Sequence, residues 1–406
     1  MATQSTTTNR LMGRLVLFIM TSLFASLTFA KSTTVFYMQD ETQLIHLPLI
    51  DEKFFGTDNR TVEELESAIT SNPNETKAYI RLCYLLKEKG EHDLANEYAK
   101  RGIESNMNDK NLLNIAGAVL IHSHETEELY NICLKAVATN PKNADAYNLL
   151  GVIAHQNGNS LGAITHFQRA LALKKRRYNW INFNLANAYR AAERYDDAAE
   201  LYRKSAKKFL ADKNFVSCNN FHFRKPNMVW VNNNVGLTYT MKGDYAKAMK
   251  AYREALLTTK GGSSRVYNGM ACTFYEMGEM DSCLVLLDKA IKANPRYASP
   301  YKNLGNINYE KGNFSKALEY FNKAYELDST DEWLISKIAC CYKNMKEYEK
   351  AISYFDMAIG INHTNGENHY QKGLCYHRLG DTDKANESFN TALKLGYEQA
   401  RGWIRK

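Results

Sequence analysis

Hydrophobic positions recur along most of this chain with a period of about 34 residues. Segments 146–173 (AYNLLGVIAHQNGNSLGAITHFQRALAL) and 300–327 (PYKNLGNINYEKGNFSKALEYFNKAYEL) align without a gap, and their apolar residues fall three or four positions apart. That spacing predicts two amphipathic helices in each segment. Gly158 and Gly312 mark the turn between the two helices. The pattern therefore predicts a series of helix hairpins.

Small residues hold fixed places in this repeat. Counted from the start of a unit, position 8 is Gly or Ala in most units, position 20 is Ala and position 24 is aromatic, as in Gly151, Ala163 and Phe167. A glycine inside a helix costs about 0.5–1 kcal/mol relative to alanine, so a repeated one needs a compensating contact. We expect position 8 to face position 20 across a close helix pair, with the aromatic ring filling the remaining space.

Nine units share this register. They begin near Thr76, Lys110, Ala144, Asn179, Val229, Ser264, Ala298, Glu332 and Gly366. The units resemble the tetratricopeptide repeat, a 34-residue helix-turn-helix motif. The resemblance implies an all-α fold, a right-handed superhelical solenoid of tandem units running from about residue 76 to 399.

Both ends of the repeat region show partial units. Residues 61–71 (TVEELESAITS) have helical spacing and precede Pro73, which falls at the proline position that ends each unit, so they predict a lone capping helix. Trp403 falls at position 4 of a tenth unit, and residues 400–406 predict a C-terminal cap. The solenoid with its caps thus covers residues 61–406.

The first thirty residues have the character of a targeting segment. Arg10 and Arg14 precede a sixteen-residue apolar run, Leu15 to Ala30, that ends in a small-x-small pattern. This predicts a cleaved secretory signal peptide at 1–30. An uncleaved membrane anchor and a buried helix are the alternatives, although sixteen residues are short for a span that needs about 20. Residues 31–60 show no repeat pattern and form a leader of uncertain structure.

One insertion interrupts the repeat spacing. The units at Asn179 and Val229 are 50 residues apart, which places about sixteen extra residues within 207–227. The surrounding segment 169–225 holds 14 Lys and Arg against 5 Asp and Glu. This composition predicts a basic and aromatic patch for an acidic protein segment, an anionic surface or nucleic acid; a longer hairpin with solvated charges is the alternative. The candidate residues are Lys174, Lys175, Arg176, Arg177, Phe221, Phe223, Arg224 and Lys225.

The resemblance also implies a binding face. In the family, positions 2, 5, 6, 9 and 12 of each first helix line the inner side of the superhelix. Asn is a poor helix former, but its amide both donates and accepts, which suits binding to a peptide backbone; the chain is rich in Asn throughout, so several would also fall there by chance. The candidate residues are Trp180, Asn184, Asn187, Trp230, Asn233, Asn234, Asn268, Lys302, Asn303 and Asn306.

Catalytic signatures are weak in this sequence. It contains no Cys-x-x-Cys pair, no Gly-x-Ser-x-Gly and no His-Glu-x-x-His, and Cys83, Cys133 and Cys283 occupy repeat core positions. We therefore expect no enzyme activity, no cofactor and no metal site. The remaining prediction is a scaffold or adaptor that binds other proteins in the bacterial periplasm, the cell envelope or outside the cell. The alternatives are a membrane-anchored assembly factor and a binder of nucleic acid or an anionic surface through 169–225.

Overall fold

A computed structural model describes residues 58–120, 126–173, 179–210, 228–259 and 262–404. The predicted signal peptide at 1–30 and all of the leader before residue 58 lie outside the described residues. Every regular element in the described part is helical, and none of it forms a β-strand. The all-α prediction is confirmed for these residues.

The α-helices follow the predicted units in order. They are α1 Val62–Ser71, α2 Thr76–Lys89, α3 His92–Ser105, α4 Lys110–Leu120, α5 Thr126–Thr139, α6 Ala144–Gln156, α7 Ser160–Leu173, α8 Asn179–Ala191, α9 Tyr195–Leu210, α10 Met228–Lys242, α11 Tyr245–Leu256, α12 Ser264–Glu276, α13 Met280–Ala293, α14 Ala298–Glu310, α15 Phe314–Leu327, α16 Glu332–Asn344, α17 Tyr348–Ile361, α18 Gly366–Leu379 and α19 Thr382–Lys394. From α2 onwards, even-numbered helices are the first helices of repeats and odd-numbered helices are the second. Each first helix packs against the second helix of its own repeat.

The close approach of paired helices depends on position 8. A Cβ on Gly151 would lie 2.6 Å from the ring of Phe167, and one on Gly305 would lie 2.5 Å from the ring of Phe321. Both rings are buried. Position 8 therefore meets the aromatic ring at position 24 directly, which agrees with the prediction that this ring fills the space between the paired helices.

Both ends of the repeat region have defined caps. Thr61 and Glu64 form a capping box at the start of α1, in which the Thr61 hydroxyl accepts from the Glu64 backbone N–H at 3.3 Å and the Glu64 carboxylate accepts from the Thr61 N–H at 2.8 Å. At the other end, a 3₁₀ helix at Glu398–Trp403 follows α19. Its Trp403 ring lies 5.8 Å from the ring of Phe389, between centroids. The 3₁₀ helix thereby covers part of the apolar surface of the last repeat.

Helix α9 runs into the segment predicted to hold the insertion. It extends to Leu210, three residues beyond Lys207, and is longer than the second helices of the other units. The segment that follows it still falls within the range 207–227 predicted for the insertion. Residues 211–227 lie outside the described residues.

The described residues form two compact units, and the boundary between them along the chain lies between residues 258 and 259. The N-terminal unit contains α1 to α11, and the C-terminal unit contains α12 to α19 with the 3₁₀ helix. Within the described residues, no helix combines the length and apolar character that crossing a bilayer requires.

Candidate functional site

The first helices of neighbouring repeats lie against one another. In the N-terminal unit α2 contacts α4, α4 contacts α6 and α6 contacts α8, and in the C-terminal unit α16 contacts α18. These helices carry positions 2, 5, 6, 9 and 12 of the repeat. We call the surface made by these positions in α2, α4, α6, α8 and α10 the first-helix face of the N-terminal unit.

Asparagine amides on this face connect adjacent repeats. The Asn184 side-chain N–H donates to the Asn148 Oδ1 at 3.2 Å, and in the C-terminal unit the Asn303 N–H donates to the Asn268 Oδ1 at 2.8 Å. All four side chains are buried. In both pairs position 6 donates to position 5 of the preceding repeat. The predicted asparagines therefore hold repeats in register, a role that the sequence analysis missed although the paired positions are visible in the sequence.

The tryptophan predicted to anchor a ligand also packs within the protein. The Trp230 ring meets the Phe183 ring edge-on at 5.0 Å and the Tyr202 ring at 6.3 Å, between centroids. Phe183 and Tyr202 are fully buried, whereas Trp230 is half-buried. Trp180 belongs to α8, but its side chain lies outside the described residues. Trp230 thus joins α10 to the repeat before it.

A polar cluster lies where α8 meets α10. The Arg190 guanidinium donates to the Asn187 Oδ1 at 3.4 Å and to the Asn234 Oδ1 at 3.5 Å. The hydroxyl of Tyr202 also donates to the Asn187 Oδ1. Sequence reasoning missed Arg190, because a cation in the last turn of a helix is ordinary and its burial depends on how neighbouring repeats pack.

Several buried polar atoms on this face have no hydrogen-bond partner within the described part of the chain. They are the Asn114 Oδ1, the Asn148 Nδ2, the His155 Nδ1 and the Asn233 Oδ1. Burial lowers the pKa of His155, and the nearby Arg190 charge adds to this effect, to a value of about 4. His155 is therefore neutral at pH 7. The face thus combines neutral amide and imidazole groups with the buried guanidinium of Arg190 and the buried carboxyl group of Asp145, at position 2 of α6.

The predicted residues of the C-terminal unit have partners within that unit, in the same repeat or in an adjacent one. Lys302 forms a buried ion pair with Asp331, which also caps the next first helix. The Asn306 N–H donates to the Glu310 carboxylate at 2.8 Å. A cavity of about 20 Å³, enough for roughly one water molecule, lies beside Asn306. Its lining residues are Cys272, Tyr275, Cys283, Leu287, Asn303, Asn306 and Ile307.

The cysteines of the described residues carry free thiols. Cys272 and Cys283 lie on the two helices of one repeat, and both are buried and form no disulfide. Among the described residues, no three His, Cys, Asp or Glu side chains are grouped so that they could hold a metal ion.

The basic patch lies outside the described residues. This applies to all eight candidates, which are Lys174, Lys175, Arg176, Arg177, Phe221, Phe223, Arg224 and Lys225. Their binding role stays a prediction, as does that of the asparagines and tryptophans of the first helices.

Known proteins share this repeat. Profiles described as tetratricopeptide repeat match residues 132–165, 183–209, 231–258, 298–331, 335–365 and 366–395. The "Small glutamine-rich tetratricopeptide repeat-containing protein 2" of Mycosarcoma maydis is 28% identical over 96 residues, which is 24% of this chain and 27% of that protein. The "Photosystem I assembly protein Ycf3" of a Synechococcus strain is 34% identical over 100 residues, which is 24% of this chain and 54% of that protein.

Solved structures include similar chains. A tetratricopeptide repeat protein from Parabacteroides merdae aligns with a TM-score of 0.43 and 15% identity, over 57% of this chain and 85% of that one. The curated relatives are matched over only part of their length, about a quarter to a half for the two described here. The matched profiles span both units, and the helix pairs follow their register. The chain belongs to the tetratricopeptide repeat family.

Proposed function

We propose that this chain is a non-catalytic scaffold or adaptor that binds an extended segment of a partner protein on the first-helix face of the N-terminal unit. Buried amide groups without partners carry the proposal. The Asn148 Nδ2 lacks an acceptor, and the Asn114 Oδ1 and Asn233 Oδ1 lack donors. These atoms have almost no accessible surface in the free protein, so the bound segment must displace neighbouring side chains to reach them. Pairing them then removes a cost of about 1–3 kcal/mol for each unpaired group.

An extended polypeptide has the matching chemistry. Each of its residues except proline offers one N–H donor and one C=O acceptor, and these are the two partners that the unpaired amides need. Tetratricopeptide repeats are protein-interaction scaffolds, and one relative is named as an assembly protein. A comparable assembly role is part of the proposal for this chain.

The first experiment identifies peptides that bind the full-length chain. A random library of dodecapeptides is selected against the protein, and the Kd of the best peptide is measured for wild type, Asn148→Ala and Asn233→Ala. We expect each variant to bind at least tenfold more weakly, because each removes a group that the peptide backbone would satisfy. Asn157→Ala is the matched control, since this exposed asparagine lies just beyond the end of α6.

Circular dichroism of each variant shows whether it is folded, which separates a loss of binding from a loss of structure. Selected peptides that bind Asn148→Ala, Asn233→Ala and wild type with equal Kd would place the binding surface elsewhere. A library that yields no binder at all would contradict peptide recognition by this chain.

We also propose that the chain is exported, to the periplasm, the cell envelope or the medium. The apolar run Leu15 to Ala30 after Arg10 and Arg14 supports this proposal. N-terminal sequencing of the protein from its native source is expected to find a start near Lys31. A start at Met1 on membrane-bound protein would favour the alternative of an anchored assembly factor, and a start at Met1 on soluble protein would exclude both.

A further inference from the structure

Arg190 is a buried cation without a matching anion. Its side chain is 6% exposed, yet its two hydrogen bonds, to Asn187 and Asn234, are long at 3.4 and 3.5 Å. A guanidinium has five N–H donors, and two of them have partners among the described residues. No carboxylate of the described residues forms an ion pair with it.

The nearest carboxylates in the sequence are engaged or solvated. Asp197 pairs with Arg194 at 2.7 Å, and Asp196 pairs with Lys242 on α10. Glu193 lies in the turn after α8 and is exposed. None of the three forms an ion pair with the guanidinium in the described part of the chain. A buried charge without a counterion is strongly unfavourable, and such charges in proteins are normally paired.

The two hydrogen-bond partners of Arg190 carry no charge. Asn187 and Asn234 are neutral amides, and His155, whose pKa is lowered partly by Arg190, is neutral at pH 7. A single positive charge matches the single negative charge of a carboxylate. A phosphate group, with nearly two charges at pH 7, would need further cations.

We propose that Arg190 binds a carboxylate of the partner segment, between the C-terminal end of α8 and helix α10. The proposal rests on the proposed function and makes it more specific, since it requires an acidic group at one fixed place in the bound segment. The carboxylate belongs to an Asp or Glu side chain or to a free C-terminus. Arginine suits either source, because its planar fork pairs with both carboxylate oxygens.

The experiment uses the full-length chain and the dodecapeptides that it selects. The library is made in two forms, with a free and with an amidated C-terminus. We expect the selected peptides to share an acid at one place, and replacing that acid by its amide to weaken binding to wild type at least tenfold. The same replacement should have less than a twofold effect on binding to Arg190→Gln, because this variant lacks the guanidinium that binds the acid.

Amidation identifies the source of the carboxylate. If binding requires a free C-terminus, the group is the terminal carboxylate, and if amidated peptides bind equally, it is an acidic side chain. The charge-matched control is Arg253→Gln, an exposed arginine on the second helix α11. This variant should respond to the acid-to-amide replacement as wild type does.

Two results overturn the proposal and leave peptide binding intact. One is a set of selected peptides without a shared acid, and the other is an acid-to-amide effect of the same size in wild type and Arg190→Gln. A library without binders overturns this proposal together with the proposed function.

A second variant tests whether Arg190 is needed for the fold. Arg190→Met replaces the unpaired charge by an apolar side chain of similar length, so the Tm of the free protein should stay the same or rise. A large fall in Tm would show that the guanidinium stabilises the free protein and would overturn the proposal.

Discussion

Packing within each repeat depends on single glycines that leave room for a ring. A Cβ on Gly305 would lie 2.5 Å from the Phe321 ring, closer than carbon atoms approach without a shift. Phe321 is fully buried, and its helix packs closely against α14. The contact thus offsets the low helix propensity of glycine.

This close approach predicts opposite effects of alanine at two helical glycines. Gly305→Ala should lower the free energy of unfolding by about 1–3 kcal/mol, because the added methyl group overpacks the core. Gly360→Ala, in α17, should raise it by about 0.5–1 kcal/mol, since a Cβ there meets no atom within 4 Å and alanine favours the helix. Urea unfolding of both variants measures the difference. Stabilisation by both substitutions would contradict the packing described for position 8.

His155 makes stability depend on pH. Its pKa in the folded protein is about 4, below the ordinary value of 6.5, because burial disfavours the charged ring. Between pH 6.5 and 4 the unfolded chain therefore binds the proton more readily than the folded one. The contribution of His155 to stability is complete above pH 6.5 and decreases as the pH falls, by about 2 kcal/mol at pH 5.

The pH dependence is tested by comparing variants. Thermal unfolding of wild type should show a lower Tm at pH 5 than at pH 7, and His155→Gln should reduce this difference. His92→Gln, at an exposed histidine at the start of α3, should leave the difference unchanged. Equal pH dependence in wild type and His155→Gln would contradict the burial of a neutral imidazole.

At the scale of the element, the turn between paired helices needs a left-handed residue. Position 15 is glycine with positive φ in six units, for example Gly312 with φ 76°. Glu193 and Lys346 occupy the same position in two other units, with φ of 59° and 66°. A residue with a Cβ is disfavoured in this conformation by about 1–2 kcal/mol.

Glycine at this position should therefore stabilise the hairpin. Lys346→Gly is expected to raise the free energy of unfolding by about 0.5–1 kcal/mol. The substitution relieves backbone strain in the folded protein, and the greater freedom of glycine in the unfolded chain offsets part of this gain. Lys311→Gly is the control. Lys311 is the residue just after α14, and its φ of −76° is one that any residue adopts. That control should lower stability. A lower urea midpoint for Lys346→Gly would contradict the argument.

At the scale of the whole molecule, the sequence predicts the fold much better than the binding face. Helix hairpins follow from local rules, such as a small residue at position 8 and glycine at position 15, and these rules recur in most units. The resemblance to the tetratricopeptide repeat rested on the same positions. Repeats that contact only their neighbours make such local patterns sufficient.

The candidate site depends on contacts between repeats, which single positions do not reveal. The sequence places Asn148 and Asn184 on one face, but it does not show that one amide donates to the other. It also gives no sign that Arg190 is buried without a carboxylate. These features follow from how adjacent helices approach each other.

The central claim is that a partner segment lies on the first-helix face of the N-terminal unit. It is tested most directly by a crystal structure of the full-length chain with its tightest selected peptide. We predict an extended peptide along α6, α8 and α10, with backbone groups about 3 Å from the Asn148 Nδ2 and the Asn233 Oδ1. A peptide bound instead to the second helices α7, α9 and α11 would contradict the claim.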